Sequence, residues 1–557
     1  MAATLHRTHP VSGAASLARW RHGRRTPRLL AVVAVGTALV VNLPLVYIFV
    51  RAAARGGSAY AATVWTGQTL ELLRRTLSLV GGVLVTTLVI SLLMAWLVVR
   101  TDLPGRRIWA VLGALPLVFP SYIAAFCLVA VMGPRGYLQG WLEALGVGAL
   151  PPWIYGYSGA LLVLSLFTYP YTYLLLVAAL RDLDPAFEEG SRSLGAGRWA
   201  TFFRVTLPNL RPAILGGSLL AALYTLSDFG GVSIVRYNTF TLSIYNAYRA
   251  LFDRTVAAGL STVLVLLTLG FVALEAALVR RVRPSRSRPA RPGPLVRLGA
   301  WKWPALAVLS AIALVNLAIP LGVIVYWGVR AIMFGNPLGE AWRAALHSAG
   351  VSAGAALVAV ALALPVAYWA ARSSGRLARV VERLCHSGFA LPGIVIGLAL
   401  VFFATRLLRP IYQSVTLLLI AYVVRFLPQA LAAARASLAV LAPVFEEAAR
   451  SLGRGPWSVF RSVVVPVIRP GLLAGGGLVF LTAMKELPAT LLLRPTGFET
   501  LATRIWTTAS EGIYSQAAVP SLLLLAGSAL PLYLLVIRPA LYGSRRAEWA
   551  GAAGSWG

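Results

Sequence analysis

Charge is scarce in this chain. Acids number 18 in 557 residues, only Lys302 and Lys485 of the 50 basic residues are lysines, and charged residues of both signs make up 12%. A soluble protein of this length exposes far more charge, whereas 58% of this chain is hydrophobic and its mean hydropathy is +0.77. Composition therefore specifies an integral membrane protein. Neither lysine follows a glycine, which excludes a GxxxxGK(S/T) phosphate loop and an ATPase built on it. Two cysteines, Cys127 and Cys385, lie in apolar surroundings. They exclude a disulfide framework and zinc spacing and read as small buried hydrophobes. The five histidines are scattered, with no HExxH. No catalytic residues, no stable metal site and no covalently bound cofactor are expected.

What remains is long apolar runs, and a span needs about 20 such residues. Helices are expected near 29–50, 77–99, 108–132, 154–180, 213–227 and 256–279, then 303–328, 346–371, 387–405, 412–434, 471–484 and 519–538. Arg24-Arg25 precedes the first run. That run has about 22 residues, longer than a signal-peptide core, so it reads as an uncleaved first span. With a cytoplasmic N-terminus, twelve spans leave 1–28, 100–107, 181–212, 280–302, 372–386, 435–470 and 539–557 inside. Counting Arg538, these hold 34 of the 50 basic residues, as the positive-inside rule requires. The net charge of +32 is thus membrane-topology charge and implies no nucleic-acid partner.

A polar stretch occurs twice. Glu188-Glu189-Gly190-Ser191-Arg192-Ser193-Leu194-Gly195, followed by Trp199, Phe202, Pro208 and Arg211-Pro212, returns as Glu446-Glu447-Ala448-Ala449-Arg450-Ser451-Leu452-Gly453, followed by Trp457, Phe460, Pro466 and Arg469-Pro470. Every landmark is displaced by 258 residues. Asp228 aligns with Glu486 and Arg236 with Arg494 at the same displacement, and Leu115–Pro120 parallels Gly388–Pro392. Two copies in the same orientation make a parallel repeat with a pathway at its interface. The expected organisation is a basic tail 1–28, a first half 29–279 with loop 181–212, a linker 280–302, a second half 303–538 with loop 435–470, and a tail 539–557. The linker has eight basic residues, no acid and four prolines. Membrane lipid headgroups would attract it.

Each loop begins acidic and ends basic. Acids suit the start of a helix, where the macrodipole favours them. Gly195 and Gly453 can take positive φ and turn the chain. A second short amphipathic piece carries Trp199 or Trp457, and Pro208 and Pro466 are expected to stop it. An aromatic, partly polar surface helix suits docking into a groove on a soluble partner.

Glu447-Ala448-Ala449, with Gly453 and then Pro466, resembles the EAA motif of binding-protein-dependent ABC importer permeases. The first copy has Glu189-Gly190-Ser191 instead. The resemblance covers residues of about 70–280 and 340–540 and implies an all-α polytopic membrane protein with about twelve transmembrane helices in two six-helix halves, of the type I importer kind. It also implies partners: a dimeric ABC ATPase subunit that uses the ATP, and an extracytoplasmic substrate-binding protein. The place implied is the bacterial cytoplasmic membrane, with both termini cytoplasmic. The ATPase-docking residues would be Glu188, Glu189, Gly195, Trp199, Glu446, Glu447, Ala448, Ala449, Gly453 and Trp457. The unequal motifs predict that the two contacts are not interchangeable, so Gly195 and Gly453 variants should show unequal defects.

The stretches after the loops, Leu226–Val232 with Arg236, and Lys485–Thr490 with Arg494, are similar to ferric-iron importer permeases of the FbpB/SfuB type. Fused permeases for thiamine and aminoalkylphosphonates are alternatives. Asp228 and Glu486 are expected at or within the fifth helix of each half. Carboxylates at bilayer depth cost about 2.5–3.5 kcal/mol on insertion scales, so they face a cavity or a partner. Transient contact with a hard cation, or gating, is one reading. Structural pairing, of Asp228 with Arg236 and of Glu486 with nearby cations, is the other. Arg236 and Arg494 are structural or partner-contacting, and Tyr237, Tyr245 and Tyr248 suit an interfacial aromatic belt. A major-facilitator-like secondary transporter shares the twelve spans and central linker, with Asp102–Arg107 as its hook, but gives the doubled loop no role. An intramembrane enzyme would want paired catalytic groups inside spans.

Overall fold

The computed structural model describes residues 28–53, 64–146, 151, 153–279, 295–335, 338–373 and 375–538. The N-terminal tail, most of the linker and the C-terminal tail lie outside the described residues. Among the described residues the structure is helical, and the lone β-bridge pairs Thr101 with Val296. Ten helices are long and apolar enough to cross a membrane, or eleven if the bent pair Arg198–Asn209 and Arg211–Ser227 is one span. Gly393–Leu407 stands at the ninth expected span but is a shorter apolar helix.

Two expected spans are interrupted. The run 108–132 divides into Arg106–Leu112, a 3-10 turn Leu115–Val118, and Ser121–Met132. The run 387–405 likewise has a 3-10 turn Ser387–Ala390 before Gly393–Leu407. Pro120 and Pro392 are the cause. A proline pushes the preceding residue out of helical geometry, and Phe119 and Leu391 are extended, with ψ 120° and 122°. Apolarity alone does not register such a break. Other helices outrun their apolar windows. Gly67–Arg100 starts ahead of 77, capped by Thr66, whose hydroxyl accepts from Thr69 N at 3.2 Å. Its polar first turns are held by Glu71, which accepts from Arg74 and Arg75 at 2.7 and 2.8 Å.

The two halves interlock. The buried side chains form two cores. In one, the helices Arg28–Ala53 and Arg254–Val279 of the first half close over Leu338–Arg372, Gly393–Leu407 and Val415–Val440 of the second. In the other, Gly299–Met333 and Tyr514–Leu532 of the second half close over Gly67–Arg100, Ser121–Met132 and Tyr157–Asp182 of the first. Specific bonds mark the exchange. Asn42 Nδ2 donates to Leu384 O at 2.9 Å and Tyr47 OH to Phe402 O at 3.2 Å. Sequence halves are therefore not packing units. Each first span is apolar around its circumference, so nothing in its own pattern selects which neighbour it covers.

Candidate functional site

The doubled stretch folds as the same motif twice. Pro185–Ser193 and Pro443–Ser451 are the first helices, each with proline in its first turn, where the missing N–H costs nothing. Asp184 caps the first copy, accepting from Ala186 N at 3.0 Å. Both helices end in a Schellman turn. Ala196 N donates to Ser191 O and Gly195 N to Arg192 O; Arg454 N donates to Ala449 O and Gly453 N to Arg450 O. Gly195 and Gly453 have φ +84° and +81°. Nothing lies within 4 Å of a Cβ built on either, so a side chain there meets strain but no clash. Gly195→Val and Gly453→Val are each expected to cost about 1–2 kcal/mol of local stability, equally in the two copies. Thermal unfolding of the single variants measures this. Any inequality in transport then comes from the contacts, not from the backbone.

A second short helix follows each turn and runs through a π turn, Phe202–Thr206 or Phe460–Val464. Here the structure corrects the expectation that proline stops the segment. Pro466 lies in the first turn of Val465–Met484, and the helix continues from Pro456 to Met484. The widened turn ahead of it supplies the room that the proline ring otherwise lacks against the preceding carbonyl. In the first copy the chain passes Pro208 and bends by 63° between Asn209 and Arg211.

The paired acids divide their orientation. Glu188 and Glu446 are buried. Glu446 accepts from Tyr368 OH at 2.9 Å and Arg372 Nε at 2.7 Å, and Arg450 stands at 3.6 Å. Glu188 accepts from Thr206 at 2.8 Å, with Arg100 Nη2 at 3.6 Å. Arg100 and Arg372 end the second long helices, so this first glutamate ties each loop to the transmembrane body. Glu189 and Ala448 are exposed, Glu447 and Ala449 half-buried. The Glu-Gly-Ser and Glu-Ala-Ala variants are matched by the second helix. Ser191 Oγ lies 3.2 Å from Thr201 Oγ1, and the residues 258 further on are Ala449 and Val459.

Sequence reasoning passed over the apolar face beside these acids. Leu194 and Leu452 are 89% and 82% exposed, and Phe187, Phe445, Trp199 and Trp457 are exposed with them. All three pairs keep the 258-residue displacement. That equality, on residues that ought to be buried, was the available signal.

The second region lies where the halves meet. Asp228 ends helix Arg211–Ser227 and turns its carboxylate to the next short helix, Gly230–Ile234. It accepts from the Ser121 hydroxyl and from Val232 N at 3.1 Å. Glu486 does the same for Pro488–Leu493, accepting from Ala489 N at 3.1 Å and from Arg425 Nη1 at 3.2 Å. The anticipated pairing of Asp228 with Arg236 is not found. Arg236 has φ +56° and lies over the Tyr155 ring at 5.0 Å, because the short helix that Asp228 caps separates the two. Arg494 pairs with Glu499 at 3.4 Å. Lys485 Nζ donates across the halves to Leu117 O at 3.0 Å, in the first half's 3-10 break. Trp506 Nε1 donates to Ser233 at 2.8 Å and packs on Phe229. Tyr237, Tyr245 and Tyr248 also turn inward rather than forming a belt. Tyr237 OH donates to Arg75 O, Tyr245 packs on Trp506, and Tyr248 on Phe402. Among the described residues no three His, Cys, Asp or Glu side chains are grouped to hold a metal ion.

Two interlocked copies of one helical unit, each with a projecting loop and with buried polar contacts at their junction, define a polytopic transport permease. The signature of one family, described as "Binding-protein-dependent transport system inner membrane component", matches residues 87–284 and again 363–543. The chain belongs to this family. It is 31% identical over 519 residues to the Fe(3+)-transport system permease protein FbpB 2 of Haemophilus influenzae, covering 92% of this chain and 98% of that one. To the putative ferric transport system permease protein FbpB 1 of the same organism it is 25% identical, over 76% of this chain and 70% of that one. The sulfate transport system permease protein CysW of Escherichia coli is 30% identical over 37% of this chain and 70% of its own length.

Proposed function

We propose that the protein forms the translocation pathway of an ATP-driven importer for ferric iron, delivered by an extracytoplasmic binding protein. The observation that carries the cargo is the match to the Fe(3+) permease along nearly the whole of both chains. The sulfate permease aligns with 37% of this chain, as expected where only the general permease unit is shared. The test is uptake of labelled ferric iron by cells or proteoliposomes holding the permease with its binding protein and ATPase. ATP-dependent iron uptake, with sulfate, thiamine and aminoalkylphosphonate not taken up, is the expected result. Uptake of one of those solutes instead would overturn the iron reading.

In this proposal a separate dimeric ATPase engages the two loops, which lie on the cytoplasmic side with both chain termini. Glu188 and Glu446 anchor each loop, Gly195 and Gly453 set its turn, and Leu194, Trp199, Leu452 and Trp457 with Glu189, Glu447, Ala448 and Ala449 supply the contact face. Closure of the ATPase dimer moves the loops, and the anchors pass that motion to the second long helices. At the junction Asp228 and Glu486 act in gating. Each holds a short helix against the opposite half, which suits a gate better than a tight ligand that would arrest a hard cation. Arg236 and Arg494 support the outer edges of the same short helices.

Trp199→Ala and Trp457→Ala remove exposed aromatics, so the fold should stand unchanged. Each should weaken ATPase association by about 2 kcal/mol, roughly thirtyfold. Co-purification and ATPase titration measure this; undiminished association of the double variant would remove the loops from the contact.

A further inference from the structure

Helix Arg376–His386 joins the long helix Leu338–Arg372 to the 3-10 turn before Gly393–Leu407. Its side chains form three stripes rather than two. Ala378, Val381 and Cys385 are buried against the protein. Beside them Leu377, Val380 and Leu384 are 60%, 48% and 42% exposed. At 3.6 residues per turn, Arg376, Arg379 and Arg383 fall on the far side of that apolar stripe, and all three are exposed. The one acid of the helix, Glu382, is turned away to Arg435 at 2.6 Å. The helix is also pinned at its end. Asn42 Nδ2 donates to Leu384 O, and Ser387 Oγ donates to Asn42 Oδ1 at 2.9 Å.

The order protein, apolar, cationic fits one environment: a hydrocarbon boundary with anionic headgroups beyond it. A soluble acidic partner would match the arginines but would leave the apolar stripe between it and the protein body unexplained. We propose that helix Arg376–His386 binds an anionic phospholipid, with acyl chain along Leu377, Val380 and Leu384 and the phosphate held by Arg376, Arg379 and Arg383. The Glu382–Arg435 pair links this helix to Val415–Val440, which leads into the second loop, so bound lipid steadies that loop. The first half has a seven-residue helix at this place, Arg106–Leu112, with only two arginines. The site is therefore one-sided.

The test uses the full chain in nanodiscs of phosphatidylcholine with a minor share of phosphatidylglycerol, and counts retained lipids by native mass spectrometry. Wild type should retain phosphatidylglycerol preferentially. Combined Arg376→Gln, Arg379→Gln and Arg383→Gln should lower that preference by about tenfold or more, given the size of the attraction per basic residue. The triple lysine variant should keep it, and so should Arg406→Gln with Arg409→Gln, two exposed arginines elsewhere. A wild-type preference in the glutamine variant, an equal loss in the Arg406 and Arg409 control, or loss in the lysine variant would overturn the proposal. Intact lipid preference with lost ATPase association would assign the surface to the ATPase instead. Thermal melts in phosphatidylcholine alone report whether each variant is folded, and the lysine variant keeps the proposal falsifiable if the glutamine variant is not.

Discussion

Arg425→Met is expected to destabilise the protein by about 3–5 kcal/mol, nearer the lower figure, because it strands a buried carboxylate. Glu486 is 5% exposed at its side chain and Arg425 19%, so solvent screens the pair only slightly. The carboxylate would keep one protein donor, Ala489 N. The geometry is specific to the second half. Gly393 leaves the space through which the guanidinium reaches Glu486, and a Cβ there would collide with both groups. In the first half Ser121 follows Pro120 as Gly393 follows Pro392, and Phe167 precedes Arg425 by 258 residues. There a serine hydroxyl replaces the arginine as partner of the acid. Gly393→Ala should therefore reproduce the Arg425→Met defect. Ser121→Ala should cost less, about 1–3 kcal/mol for a carboxylate losing one bond. Adding Glu486→Gln to Arg425→Met should recover part of the loss, since the uncompensated charge goes with it. Thermal midpoints of the four variants in detergent check the series. Additive Arg425 and Glu486 effects would mean that the pair does not act as one.

Glu446→Ala should have a comparable effect of about 3–5 kcal/mol, for the matching reason that it strands a cation. Arg372 is 8% exposed at its side chain, and its other bond goes to Leu441 O at 3.1 Å. Glu188→Ala should cost less, about 1–3 kcal/mol. Arg100 stands 3.6 Å from Glu188, and its Nε and Nη2 already lack a hydrogen-bond partner. The principal bond lost is the one from Thr206. The two loops are thus anchored unequally, tightly in the second half and loosely in the first. Transport driven by ATP should follow the same order, Glu446→Ala below Glu188→Ala. Glu446→Gln keeps an acceptor for Tyr368 and should fall between. Equal losses in stability and in uptake from Glu188→Ala and Glu446→Ala would refute the inequality.

The legible part of this protein is the part written in composition and spacing. Two loops 258 residues apart, each with glutamate, glycine and tryptophan at fixed intervals, stand out because polar residues are rare in an apolar chain. Their helix, turn, helix form follows from proline at the start and glycine at the end. The breaks at Pro120 and Pro392 were equally written, but apolar runs conceal them from a rule that counts only hydropathy. The exposed Leu194 and Leu452 were missed because a leucine in a membrane protein is read as buried until its surroundings are seen.

Sequence alone determined that the chain is a polytopic membrane protein, that it is a parallel repeat, and that one polar loop per half is its distinguishing element. These rest on hydropathy, charge and periodicity, which are local quantities. Tertiary structure alone decided which of two adjacent glutamates turns inward, which acid meets an arginine and which a serine, and which half each first span covers. Those outcomes depend on partners far along the chain, 74 residues apart for Arg372 and Glu446 and 342 for Asn42 and Leu384. No local pattern encodes them, because the desolvation of a charge is offset only by the group that packing brings beside it.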